Sequence, residues 1–470
     1  MTSHSGSCPA ADVYAPGHLG ALTRKIPPSL VDDVLEATGR RERRVRLLPA
    51  RVVVYFVLAI ALFSTDGYHG VWASLVKGLG GVTARMPSTP ALSQARARLG
   101  AAPMAELFAR LSGPVATTAT PGAFWHSLRL MAWDGLHLEA ADSPANAAAF
   151  GYLHARRGRS GFPLVRLAAL VECGSRAIHE VAFGAYITAE KTLAQRLLGG
   201  LCPGMLLLAD RNFDGYELWG QARDTGAHLL WRAKGVRILP RLVPLADGSY
   251  LSVLPDRNGR GYRTANGHRV RVIEFHLTVA TSDGASRTEH YRLLTTLMDP
   301  RRHPADQLAA LYHQRWEVEI AFFGLKVTLR TADRVLRSQH PEGIEQEIYA
   351  YLTVYQVLRR VSHHSARRVD VDPDRVSLTV ALRAARHSVI AADHASPGTP
   401  EQTFHHLLTS ELLPPRRADR VSPRAVKRPV SPFSYKQVHA LRESRTSRRA
   451  TYTVHLREPS ADALTAPQQP

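Results

Sequence analysis

Cysteine is nearly missing from this sequence: Cys8, Cys173 and Cys202 are the only three in 470 residues. They are too few and too far apart for a disulfide framework or a zinc-ligand pattern, which fits a reducing cytoplasm. Long apolar runs are missing as well. The most hydrophobic stretch, VVVYFVLAIALF at 52–63, falls well short of the roughly 20 residues a bilayer span needs, so it predicts a buried helix and no membrane partner. The opening MTSHSGSCPAADVY has neither a charged leader nor an apolar core of signal type. No glycine-rich phosphate loop ending in Gly-Lys-Ser/Thr occurs, so ATP hydrolysis is not indicated. Lysine is scarce: seven beside 53 arginines.

What the sequence does have is positive charge. Sixty basic residues against 40 acidic leave a net +20, which favours a polyanion, most commonly nucleic acid. A GC-rich genome also inflates arginine, but the acidic residues have not risen to match. The length allows two or three domains with a sizeable core.

Residues 1–18 read as a disordered tail. Residues 19–115 are helical in pattern, with a capping Ser88 or Thr89 before one helix and a glycine stop after it. Six arginines between Arg40 and Arg51 suit either DNA phosphates or a packing domain. Past a linker at 113–123, the texture of 124–345 changes to strands at 128–135, 162–172, 177–186, 205–210 and 228–234, with helices between the later ones. That order describes a mixed α/β sheet covered by helices. Residues 235–298 read as a β-rich insertion and 346–410 as a helical region. Residues 411–470 read as a basic, largely flexible tail, with eleven Lys/Arg against three acids over 411–449.

One helical stretch, LYHQRWEVEIAFFGLKVTLR at 311–330, carries an unusual column. At about 100° per residue, Tyr312, Arg315, Glu319 and Lys326 share a sector of roughly 60° beside an apolar stripe of Leu311, Val318, Leu325 and Leu329. Glu317 lies outside that sector. Two acids far away, Asp134 and Asp210, each read as closing a buried strand, where α/β folds place ligands. Asp142 and Asp214, close by, read as loop or helix-start residues. Three converging carboxylates repel unless cations join them, and their natural partner is Mg²⁺, with Mn²⁺ as a substitute. Two such ions activate an attacking hydroxyl and steady the leaving oxygen in phosphodiester chemistry. Histidine pairs such as His363–His364 and His405–His406 fit no ligand spacing.

The spacing Tyr-x2-Arg-x3-Glu-x6-Lys resembles the signature of DDE transposases of the insertion-sequence-four family. WDGLHLEAADSPANAAAFG (133–151) and LLLADRNFDGYELWGQARDTGAHLLWRAK (206–234) resemble the segments around that family's two catalytic aspartates. Residues 22–63 are similar to its helical N-terminal domain. The resemblance implies a ribonuclease-H-like catalytic domain with a β-rich insertion, preceded by a helical DNA-binding domain. It implies Asp134, Asp210 and Glu319 as catalytic metal ligands and Tyr312, Arg315 and Lys326 as DNA-backbone contacts. It further implies cleavage of element ends and their transfer to double-stranded target DNA by a homo-oligomer in a synaptic complex, in a bacterial, nucleoid-associated setting. Trp231 and Trp316 are the available stackers for a flipped base, but each reads first as core. Two alternatives remain: a structure-selective or repair nuclease on the same fold, and a DNA-binding repressor without catalysis.

Overall fold

The computed structural model describes residues 18–42, 44, 46–77, 79, 86–155, 158–256, 263–280, 286–312, 315–331, 334–391, 400–415 and 433. The 1–18 tail, save its last residue, and most of the 411–470 tail lie outside them. Among the described residues five α-helices precede the first strand: α1 (Pro28–Ala37), α2 (Ala50–Leu62), α3 (Tyr68–Lys77), α4 (Thr89–Leu99) and α5 (Ala102–Leu111). The apolar run becomes α2, buried at every position except Arg51. Such a helix has no solvent face and must be wrapped on all sides. Ser88 caps α4, its hydroxyl accepting from the Ala91 amide at 3.3 Å.

The strands are β1 (Phe124–Trp125), β2 (Leu128–Glu139), then after α6 (Pro144–Phe150) a small hairpin of β3 (His154–Ala155) and β4 (Gly158–Arg159). β5 (Leu164–Glu172), β6 (Ile178–Ala185), α7 (Glu190–Arg196), β7 (Met205–Ala209), α8 (Tyr216–Asp224) and β8 (His228–Arg232) follow. Next come β9 (Val243–Pro244), β10 (Tyr250–Asp256), β11 (Arg263–Ala280) and β12 (Ser286–Thr295). Among the described residues they build one ten-stranded sheet in the order β6-β5-β2-β7-β8-β12-β11-β10-β9, with β1 beside β2. β2, β5 and β6 form an antiparallel meander, while β7 and β8 run parallel to β2. The strands at 243–295 therefore extend the central sheet through β12 and β8 instead of forming a body of their own.

Strand alternation splits the core into two layers. Leu130, Ala132, Leu206 and Leu208 face α10 (Trp316–Phe323) and α11 (Pro341–Arg368), while Met131, Trp133, Leu207 and Ala209 face α7 and α8. Trp231 sits in the second layer against Trp133 and Trp219, so it is core and not a stacker; the side chain of Trp316 is outside the described residues. α11 is the spine of the first layer, and both α2 and α5 pack on it. Buried Arg96 on α4 ties them polarly, donating to Gln346 at 2.8 Å and pairing with Glu347 at 3.2 Å. Helices α12 (Leu378–Ile390) and α13 (Pro400–Ser410) close that bundle.

Two expectations need correcting. β2 does not stop at Asp134 but continues to Glu139, because its antiparallel pairing with β5 runs on to Leu164. The 311–330 stretch is not one regular helix: α9 (Ala305–Tyr312) and α10 are separate segments, and a π-helical turn, Gly324–Leu329, follows α10. A π-turn widens the i→i−4 ladder to i→i+5 bonding, so uniform 100° arithmetic fails beyond Phe323. What anchors that turn is Glu139 at the end of β2. It is 0% exposed and accepts from Arg330, 2% exposed, at 2.9 Å, with Lys326 at 3.6 Å. Removing one partner of a buried pair strands the other charge. Arg330→Met is expected to destabilise the chain by about 3–5 kcal/mol, read from urea denaturation, and Arg330→Met with Glu139→Leu to recover part of that loss.

Candidate active site

Parallel pairing of β2 with β7 matches Arg129–Ala132 with Met205–Leu208, rung by rung, and ends there. Carried two residues further, the same register sets Asp134 opposite Asp210. Both side chains fall on the face of the even-numbered core residues, toward α10. α10 packs across β2 and β5 and carries Glu319 to that face. Both aspartates lie just past the point where the pairing of β2 with β7 ends.

Arg315 is their common neighbour. It is buried, its Nη2 donates to Glu319 Oε1 at 3.2 Å, and it interacts electrostatically with Asp210 and Asp134. Burial pulls its guanidinium pKa down, but Tyr312, Asp210, Asp134 and Glu319 outweigh that and hold it above its ordinary value. Asp134 shows the opposite balance. Burial pushes its carboxyl up to about 7; Arg315 and the Gly135 amide, which donates at 2.8 Å, pull it down, and Glu319 and Glu190 push it up again.

Tyr312, expected at a DNA phosphate, is buried and donates its hydroxyl to the Ala209 carbonyl at 3.0 Å. It fixes the strand end from which Asp210 emerges, and is thus a positioning residue. Lys326 donates to the His137 carbonyl at 3.0 Å and faces Glu139, with burial lowering its pKa and Glu139 opposing that. Asp214 is structural: it accepts from Lys234 N and Arg237 at 2.8 Å each. Asp142 accepts from the Tyr152 hydroxyl at 2.6 Å, outside the trio.

Sequence reasoning missed Glu190, Arg166 and His137. Arg166 donates to His137 at 3.1 Å and to the Thr188 carbonyl at 2.8 Å, and lies over the Tyr186 ring. Burial, then Arg166 and Lys326, depress His137 to about 4, so it is neutral at neutral pH. The only sequence signal for Glu190 was a carboxylate in the first turn of a short helix, which ordinarily means a favourable helix dipole.

The donor set suits a hard divalent cation. Among the described residues no three His, Cys, Asp or Glu side chains form a ready cage. Mg²⁺ does not need one, since it commonly takes one or two carboxylates and completes its shell with water and phosphate oxygens. In the metal-free protein, Arg315 supplies the balancing charge.

Raised Asp134 has a consequence for stability. Its folded state holds the proton more tightly than the unfolded chain, so stability falls as pH rises from the ordinary carboxylate range to about 7. Without divalent ions, Asp134→Asn is expected to raise the melting temperature by a few degrees near pH 8 and to change it little near pH 4. Equal melting shifts at both pH values would show that Asp134 is not the titrating group.

Comparison with known proteins identifies the family. The family model "Insertion element 4 transposase N-terminal" matches residues 16–109, and "Transposase DDE domain" matches residues 125–357. "Transposase InsG for insertion sequence element IS4" of Escherichia coli strain K12 is 27% identical over 416 residues, 87% of this chain and 92% of that protein. "Putative transposase InsZ" of the same strain is 25% identical over 234 residues, 49% of this chain and 77% of that protein. Among solved structures, the piggyBac transposase synaptic complex with hairpin DNA covers 87% of this chain and 88% of its own at 9% identity; its TM-score of 0.42 adds nothing to the assignment. Both parts of the chain are matched in order and nearly the whole of one relative is spanned: the chain belongs to the insertion element 4 family of DDE transposases, and it is a DNA transposase.

Proposed function

We propose that the chain cuts the ends of its element and joins them to target DNA at the site of Asp134, Asp210 and Glu319, with Mg²⁺ or Mn²⁺ bound by those three carboxylates. What supports this is the β2–β7 register, which ends at Ala132 and Leu208, two residues before Asp134 and Asp210, beneath the helix α10 that carries Glu319. The meander β2-β5-β6 followed by β7 and β8 parallel to β2 supports a ribonuclease-H-like catalytic core. The helices before residue 115 are assigned to DNA binding, although Arg41, Arg46 and Arg51 already pair with Glu36, Glu42 and Asp32.

In cleavage, a water oxygen bonds to phosphorus and the P–O3′ bond breaks, leaving a 3′-hydroxyl. In joining, that 3′-oxygen bonds to a target phosphorus as a target phosphodiester bond breaks. Each attacking oxygen loses a proton and each leaving oxygen gains one, so no ATP is consumed. Bound divalent ions supply the Lewis acidity that activates the attacking oxygen and steadies the leaving one. Asp134, Asp210 and Glu319 orient the reacting phosphate through them. Arg315, already amid the acids, moves its charge toward the phosphate, and Lys326 contacts the flanking backbone. Holding two element ends at once requires a second copy of the chain.

The test is linear DNA bearing the element ends, incubated with purified protein and Mg²⁺ or Mn²⁺. Nicked and joined products are expected on a denaturing gel. Asp134→Asn, Asp210→Asn and Glu319→Gln should each lower both by about 100-fold or more, while metal-free DNA binding persists. DNA binding by the unaltered chain with neither nicking nor joining would favour a repressor; nicking alone would favour a nuclease.

A further inference from the structure

We propose that Glu190 is a fourth carboxylate of this active site, entering from the opposite layer of the sheet over Gly135 to hold water of the ion's hydration shell beside Asp134 and Asp210. Glu190 opens α7, whose Leu193 and Ala194 belong to the layer away from α10. A carboxylate there would ordinarily be shut off from Asp134 by β2. The side chain it would meet is absent, because residue 135 is glycine. A Cβ built on Gly135 would stand 2.7 Å from Glu190 Oε1, closer than real Cβ atoms come to an oxygen. The absent side chain therefore lets Glu190 lie directly against the β2 backbone beside Asp134, and Gly135 needs no left-handed conformation to explain it.

From there Glu190 interacts electrostatically with both Asp134 and Asp210. Burial raises its own carboxyl pKa, with Arg166 opposing and Asp210 adding to the rise. A purely helix-stabilising glutamate would point to solvent, away from two other acids. With Asp134, Asp210 and Glu319 assigned to the ion itself, Glu190 acts through water. Carboxylates in that outer position orient metal-bound water and are worth about 10–100-fold in metal affinity.

This role rests on the metal-dependent reading above, and Mn²⁺ binding to the full chain without DNA, followed by electron paramagnetic resonance, separates the two. Glu190→Gln keeps the shape and is expected to weaken Mn²⁺ binding by about 10–100-fold, with an unchanged melting temperature in the metal-free state. Gly135→Ala should weaken it in the same direction, because the added methyl displaces Glu190. If Glu190→Gln binds Mn²⁺ like the unaltered chain while Asp134→Asn loses it, the fourth carboxylate is overturned and the three-acid reading stands. If neither variant changes Mn²⁺ binding, both fall.

Discussion

The parallel pairing of β2 with β7 governs this molecule, and most of all the place where that pairing ends. For four rungs the strands are held by backbone hydrogen bonds and buried on both faces. Beyond Ala132 and Leu208 the pairing ceases, yet β2 stays rigid because β5 still pairs with it up to Glu139. Asp134 thus stands on a fixed backbone at an open edge. An acid on a loop could retreat from its neighbours into water; one on a paired strand cannot, and so its carboxyl is pushed up to about 7. Burial is the main cause of that rise, and Arg315 opposes it.

The helical layer is registered against that sheet by buried charge. Glu139, Arg330 and Lys326 pin the π-turn to the end of β2, which fixes how α10 crosses the sheet and where Glu319 arrives. On the outer side, α11 carries α2 and α5, with Arg96 bridging α4 to Gln346 and Glu347. The N-terminal helices and the helical layer over the sheet share this core.

The Tyr-Arg-Glu-Lys column was readable from spacing, but the contacts its members make within the chain were not. Four residues on one helical edge implied four side chains presented together to a ligand. In the folded chain Tyr312 props up the Ala209 carbonyl, Arg315 balances the acids, Glu319 joins them, and Lys326 reaches back to β2. The helix is broken into two segments and a π-turn, so the shared sector arose from tertiary contacts and not from uniform winding. Asp134 was found through the wrong boundary: it marks where one neighbour strand leaves, not where its own strand stops.

Composition, charge balance and the alternation of apolar residues were enough to specify a mixed sheet under helices, a fully buried α2 and a basic protein suited to DNA, because those properties depend on local periodicity and net charge alone. Strand ends, helical spacing and the family motifs singled out Asp134, Asp210 and Glu319 as candidates, because those patterns are local in the chain. Glu190 could not be found that way, since its meaning depends on a missing side chain at Gly135 and on strands that lie far apart in sequence. Nor could the burial that raises Asp134, or the clamp at Glu139. Distances between layers, and the dielectric they create, exist only once the sheet and its two helical faces have closed on one another.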